Sequence, residues 1–165
     1  YEALTDPWRG EDMDAPRGYH GLFRTASLGV NGAPGAWSTL FTGPLEHRHL
    51  VHLFALADVA VTPSTFPEAF GMVAAEAAAC GAPPLVACHS GLAEIAQGLE
   101  AEYPAPLRGL ASFENANVDE LAEKLRVICD LPPVDHAALR AAARRAAVTH
   151  WSWERIATLI LSRRG

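Results

Sequence analysis

Positive charge is what this chain has least of. Lys124 is its one lysine, and no Lys or Arg stands between Arg48 and Arg108. The net charge is −6, which argues against nucleic acid or an anionic membrane as a partner. Long apolar runs are missing too, so no transmembrane segment is expected, and no charged-then-apolar leader opens the sequence. Cysteine is sparse. Cys80, Cys88 and Cys129 are odd in number and show neither metal nor redox spacing. Reduced, buried thiols and a cytoplasmic location are the expectation.

What is present suffices for one packed domain. The chain has 165 residues, and 50% of them are apolar, enough to bury a core. Three of the histidines cluster at His47, His49 and His52. They straddle a helix start without a coherent ligand set, so no metal is expected.

Glycine and proline divide the chain unevenly. Residues 1–37 are interrupted by Gly10, Pro16, Gly18, Gly21, Gly29, Gly32, Pro34 and Gly35, and their pattern is hard to read. A short helix at 1–4, another around 19–28 and a partly ordered insertion at 29–36 are the expectations. Ordered structure is expected from Ser38, giving a domain over 38–165. Residues 38–42 read as a strand and 46–57 as a helix with Leu50, Leu53, Phe54 and Ala57 at helical spacing. Residues 58–62 and 85–88 read as buried parallel strands flanking a helix over 69–80. The order β-α-β-α-β with short loops implies parallel strands and right-handed crossovers.

The stretch 63–81 organises the rest. Pro63, Ser64, Thr65 and Pro67 end a strand and bend the chain. Gly81 sits where a helix C-terminus wants φ > 0, and Pro83 and Pro84 forbid continuation. Glu68 lies at the helix mouth. Glu76 is the only charged side chain between Ala69 and Ala93. Met72 and Cys80 lie four residues to either side of it, so its face is apolar. A carboxylate on such a face is costly unless a partner hydrogen-bonds it. With no basic residue nearby, an anion here would have to meet the first-turn amides of Ala69, Phe70, Gly71 and Met72.

These residues resemble a known family. Pro63-Ser64, Glu68-Ala69-Phe70-Gly71, Glu76, Ala79-Cys80-Gly81, Pro83, Gly91 and Glu94 look like the donor-binding C-terminal domain of retaining GT-B glycosyltransferases of family 4. Glu68 and Glu76 match that family's E-x7-E motif. The resemblance covers about residues 40–99 well and extends loosely to Trp151-Ser152-Trp153-Glu154. It implies an α/β fold class, a doubly wound, mainly parallel sheet with helices on both faces, Rossmann-like, here without its first strands. It implies a nucleotide-sugar as donor substrate and neither cofactor nor metal. Glu68 would be the catalytic-site glutamate that hydrogen-bonds the donor sugar. Glu76 would accept from the ribose hydroxyls, and the amides around Phe70, Gly71 and Met72 would lie against sugar and diphosphate. Ala69 departs from the glycine that many members carry there. No basic pair matches the family's Arg and Lys; Arg9, Arg17 and Arg24 lie outside the pattern. The chain is therefore expected to begin inside the donor domain, to miss its N-terminal acceptor domain, and to transfer nothing alone.

Downstream elements follow the same logic. The loop His89-Ser90-Gly91 follows the strand at 85–88, and in a doubly wound sheet such loops line the ligand crevice. Ser90 and Gly91 join the candidate donor-binding set. The resemblance does not specify His89, which reads equally as a solvated loop residue or a donor contact. Glu94 is expected to open the next helix, and residues 110–113 read as a strand. Asn117 and Glu120 form a capping pair for a helix over 118–129. Asp135 is expected to cap a helix to about 149. The Arg140, Arg144 and Arg145 on it read as a solvated face. Ser152 is expected to cap a last helix, whose Ile156, Leu159 and Ile160 would be exposed or used in self-association. Two alternatives remain: a GT-B relative that hydrolyses or epimerises nucleotide-sugars, and a non-catalytic interaction module.

Overall fold

The computed structural model describes residues 45–162 and two short strands before them. The chain divides into two compact units, Tyr1–Glu46 and His47–Gly165. In the first, strands β1 (Ala26–Ser27) and β2 (Ser38–Thr39) pair antiparallel. This corrects two expectations. Ala26 and Ser27 are extended and not helical, and Ser38–Thr39 pairs antiparallel. The expected helix at 1–4, the insertion at 29–36 and residues 40–42 lie outside the described residues.

The second unit runs α1 (His47–Leu56), β3 (Ala60–Thr62), α2 (Met72–Ala79), β4 (Pro84–Ala87), α3 (Ser90–Glu102), β5 (Ser112–Phe113), α4 (Val118–Cys129), α5 (Pro133–Trp151) and α6 (Trp153–Ser162). Strand order is β3-β4-β5, parallel throughout, with Val61 opposite Leu85 and Val86 opposite Ser112. Every residue of β4 is buried, as a central parallel strand requires. β3 is parallel as expected but not buried: Val61 is exposed, because β3 is an edge of this sheet.

The core joins β4 to one face each of α3 and α5. Leu85, Val86, Leu92, Ile95, Leu99 and Leu139 are fully buried. Each such side chain stabilises the fold by about 1.5–3 kcal/mol. Between helices the packing uses alanine: Ala74, Ala77 and Ala78 of α2, with Ala142, Ala143, Ala146 and Ala147 of α5, are buried. Small side chains let α2, α3 and α5 pack tightly.

The C-terminus of α2 closes as its sequence predicts. Gly81 has φ 83°, its N–H donates to Ala78 O, and Ala82 N–H donates to Ala77 O. These are the two bonds of a Schellman motif. Asn117 accepts from the Glu120 amide at 3.0 Å, as expected. The Glu120 carboxylate takes the Glu114 amide and Lys124 instead of reaching back. Ser152 Oγ accepts from Arg155 N–H at the start of α6. Asp135 does not cap α5: the helix opens on Pro133, with Pro132 at the cap, and Asp135 lies in the first turn. Proline suits a first turn because its missing N–H has no intrahelical partner there. Likewise α3 opens at Ser90, so Glu94 sits exposed in its second turn. The thiols are free, yet Cys88 and Cys129 are exposed and only Cys80 is half-buried, contrary to expectation.

The arginines of α5 are the largest correction. They are not merely solvated. Arg140 donates to Ala55 O at 2.8 Å and to Ala57 O, at the end of α1. Arg144 donates to Ala79 O at 2.6 Å, the last residue of α2. Arg145 donates to Glu102 O and lies 3.6 Å from its carboxylate, at the end of α3. One helix thus covers the carbonyl ends of three others. None of the three carries a basic residue in its own last turn, so their orphan carbonyls and negative dipole ends are met from α5.

Candidate functional site

The loops at the carboxyl ends of β3 and β4 meet. Helix α2 was expected from Ala69 but starts at Met72, with Gly71 as its N-cap at φ 101°. A left-handed residue cannot continue a right-handed helix. Any side chain there would also strike Leu92 of α3: a Cβ would lie 2.6 Å from its Cδ2. Of the four amides expected in the first turn, only Met72 belongs to the helix. No side chain caps this end, so the leading amides, Met72 and Val73, point out of the helix mouth.

Gly91 fixes the other loop. Its N–H donates to Glu68 O at 2.9 Å. A Cβ on it would lie 2.5 Å from the backbone of Phe70, so only glycine allows this approach. Ala69 is not among the residues with positive φ, which is why alanine is tolerated there. Ser90, by contrast, holds φ 45°. Its Oγ accepts from Glu68 N–H at 3.0 Å and contacts His89 Nδ1 at 3.0 Å. His89 Nε2 lies 2.6 Å from Ser64 O.

The two carboxylates occupy different settings. Glu68 is half-buried, and no described side chain holds its carboxylate. Glu76 lines a pocket of about 540 Å³, together with Phe70, Met72, Ala79, Trp151, Trp153 and Ile156. Its side chain is 31% exposed and lies 3.6 Å from the imidazole of His47, itself 83% exposed. So the face around Glu76 is apolar, as expected, but it forms a pocket wall and not core: Met72 is 56% exposed. Trp151 lines the same pocket. Its indole packs over Gly98 of α3, where a Cβ would come within 2.6 Å, and meets Phe70 edge-on at 6.2 Å.

Segment 68–72 therefore joins both settings. Glu68, Ser90 and Gly91 meet through the paired loops, whereas Phe70, Met72 and Glu76 share the pocket, which Glu68 does not line. The sequence reading gave no role to Ser64, Trp151 or Trp153 here. A glycine in mid-helix at Gly98 was the available signal of a close neighbour.

Parallel strands joined by helical crossovers define a Rossmann-like α/β unit. A sequence model of the family Glycosyl transferases group 1 matches residues 37–146, and the chain belongs to that family. Over 120 residues it is 32% identical to the GDP-mannose-dependent monoacylated alpha-(1-6)-phosphatidylinositol monomannoside mannosyltransferase of Corynebacterium glutamicum, covering 69% of this chain and 29% of that protein. It is 35% identical over 123 residues to a glycogen synthase of Mycobacterium tuberculosis, covering 73% of this chain and 27% of that protein. A solved structure, sucrose-phosphate synthase from Thermosynechococcus elongatus, matches with a TM-score of 0.59 at 28% identity, over 74% of this chain and 29% of the other. The chain thus spans less than a third of the length of these relatives.

Proposed function

We propose that this chain is the donor-binding part of a retaining glycosyltransferase and holds a nucleotide-sugar across segment 68–76. The observation that carries this reading is Glu76: a half-buried carboxylate on an apolar pocket wall, with an exposed imidazole 3.6 Å away as its one side-chain partner among the described residues. Such a group is best compensated by hydroxyl donors from a guest. Glu76 receives the ribose hydroxyls. Glu68 orients the sugar. The uncapped amides of Met72 and Val73, with Gly71 beside them, meet the diphosphate.

The chemistry asked of this chain is positioning. The departing diphosphate oxygen assists the acceptor hydroxyl on the same face, and the site supplies orientation and charge stabilisation. No residue of this chain is assigned to the acceptor, which the reading places on a separate N-terminal domain. Among the described residues no helix is long and apolar enough to cross a membrane, and a cytoplasmic setting with reduced thiols belongs to the same proposal.

Titration of UDP, GDP and ADP into the chain and into Glu76→Ala tests it. One of the three should bind, and Glu76→Ala should weaken that binding by at least about tenfold, the cost of losing a charge-assisted hydrogen bond of about 1.5–3 kcal/mol. Equal affinities in both proteins count against the assignment.

A further inference from the structure

We propose that His89 is a positioning residue that sets the place of Glu68 through a clamp of backbone bonds. The inference rests on the donor-site reading above and deepens it.

The contacts of the clamp fit a neutral imidazole. Ser64 O can only accept, so His89 Nε2 carries the hydrogen of their 2.6 Å contact. Glu68 N–H can only donate, and its partner is Ser90 Oγ. Ser90 is then free to give its own proton to His89 Nδ1. A neutral imidazole with hydrogen on Nε2 satisfies every group. The bridge runs Ser64 O, His89, Ser90 Oγ, Glu68 N, and Gly91 N–H closes it on Glu68 O. Ser64 Oγ adds a local bond to Phe66 O at 3.1 Å.

Ahead of Glu68, side-chain packing is thin. Phe66, at the tip of the loop, is 79% exposed, and Pro67 is exposed as well. Among the described residues the Glu68 carboxylate has no partner of its own, while its backbone N–H and C=O are both bound. The carboxylate is left open and the backbone beneath it is fixed. Ser90 holds φ 45° within this arrangement, a conformation costing about 1–2 kcal/mol for a residue with a side chain. The bonds to Glu68 and His89 offset that cost. His89 spans the gap because the bonding directions of its two ring nitrogens diverge, so it can bond Ser64 and Ser90 at once. Glu76 lies outside the clamp, so His89 acts on the sugar end of the donor and not on the nucleoside end.

The test compares the unmodified chain with His89→Ala, Ser90→Ala and His89→Gln, whose amide can still reach Ser64 O. Amide hydrogen exchange reads the clamp without any ligand: the Glu68 amide should lose protection in His89→Ala and Ser90→Ala and regain part of it in His89→Gln. Calorimetry with GDP and GDP-mannose, UDP and UDP-glucose, and ADP and ADP-glucose reads its consequence. In His89→Ala the nucleotide-sugar should bind about fivefold more weakly, the scale of one lost neutral hydrogen bond, while the nucleoside diphosphate keeps its affinity. An equal loss for both ligands, or unchanged exchange at Glu68, overturns the inference and leaves the donor site standing. If the unmodified chain binds neither member of any pair, the donor-site reading falls, and the role of His89 falls with it.

Discussion

The two ends of α2 are built on opposite terms. At its C-terminus the carbonyls from Glu76 to Ala79 are all met. Ala77 and Ala78 bond the Schellman turn, Glu76 O takes Cys80 N–H, and Ala79 O takes Arg144. At its N-terminus Gly71 provides no side-chain cap, the leading amides are open, and the nearby Glu68 carboxylate has no described partner. The C-termini of α1 and α3 are likewise held, by Arg140 and Arg145. One end of α2 is saturated for stability, and the other is left open. Unsatisfied polar groups at a surface crevice cost stability that a bound ligand can return.

Substitutions can break this contrast from either side. The largest effect is expected at the open end, from Gly91→Ala. The added Cβ would overlap the Phe70 backbone, so the loop must move. We expect about 3 kcal/mol of destabilisation, read from urea unfolding, and loss of nucleotide binding. An unchanged midpoint would show that segment 68–71 yields freely. Among the held C-termini, Arg140→Ala removes two bonds to the carbonyls of α1. A loss of about 1–2 kcal/mol is expected, with nucleotide affinity unchanged. A fall in affinity instead would mean that the two ends are coupled.

The smallest effect concerns pH and lies in α4, away from both ends. A hydrogen bond from Lys124, then one from the Glu114 amide, holds the Glu120 carboxyl below its ordinary value of 4.5. Because the folded value is the lower one, Glu120 contributes stability above that ordinary value. The contribution fades as pH falls through the folded value. Replacement by Gln should flatten this part of the acid limb of a pH–stability curve. An identical slope in both proteins would remove Glu120 as its source.

Much of the helix capping was legible because it is local. Gly81 with the prolines after it fixes the turn that ends α2. Asn117 with Glu120 fixes the start of α4, and Ser152 fixes that of α6. Each is a bond between residues a few positions apart, so spacing along the chain suffices. The family was legible for a different reason, the resemblance carried by residues 63–94, and the match to Glycosyl transferases group 1 bears the family out. What spacing missed was the start of α2. Ala69 and Phe70 favour a helix as readily as their neighbours. Only Leu92, lying against Gly71 from another helix, and the left-handed backbone there move the start to Met72.

By itself, the sequence determined the alternation of strands and helices, the glycine that stops α2 and the family. Periodicity, turn residues and short-range bonds are written into neighbouring positions. Tertiary structure alone decided what Arg140, Arg144 and Arg145 are for, and that His89 reaches Ser64. Their partners lie 83, 65, 43 and 25 positions away along the chain. A side chain's spacing says which face it shares but not which distant carbonyl that face will meet.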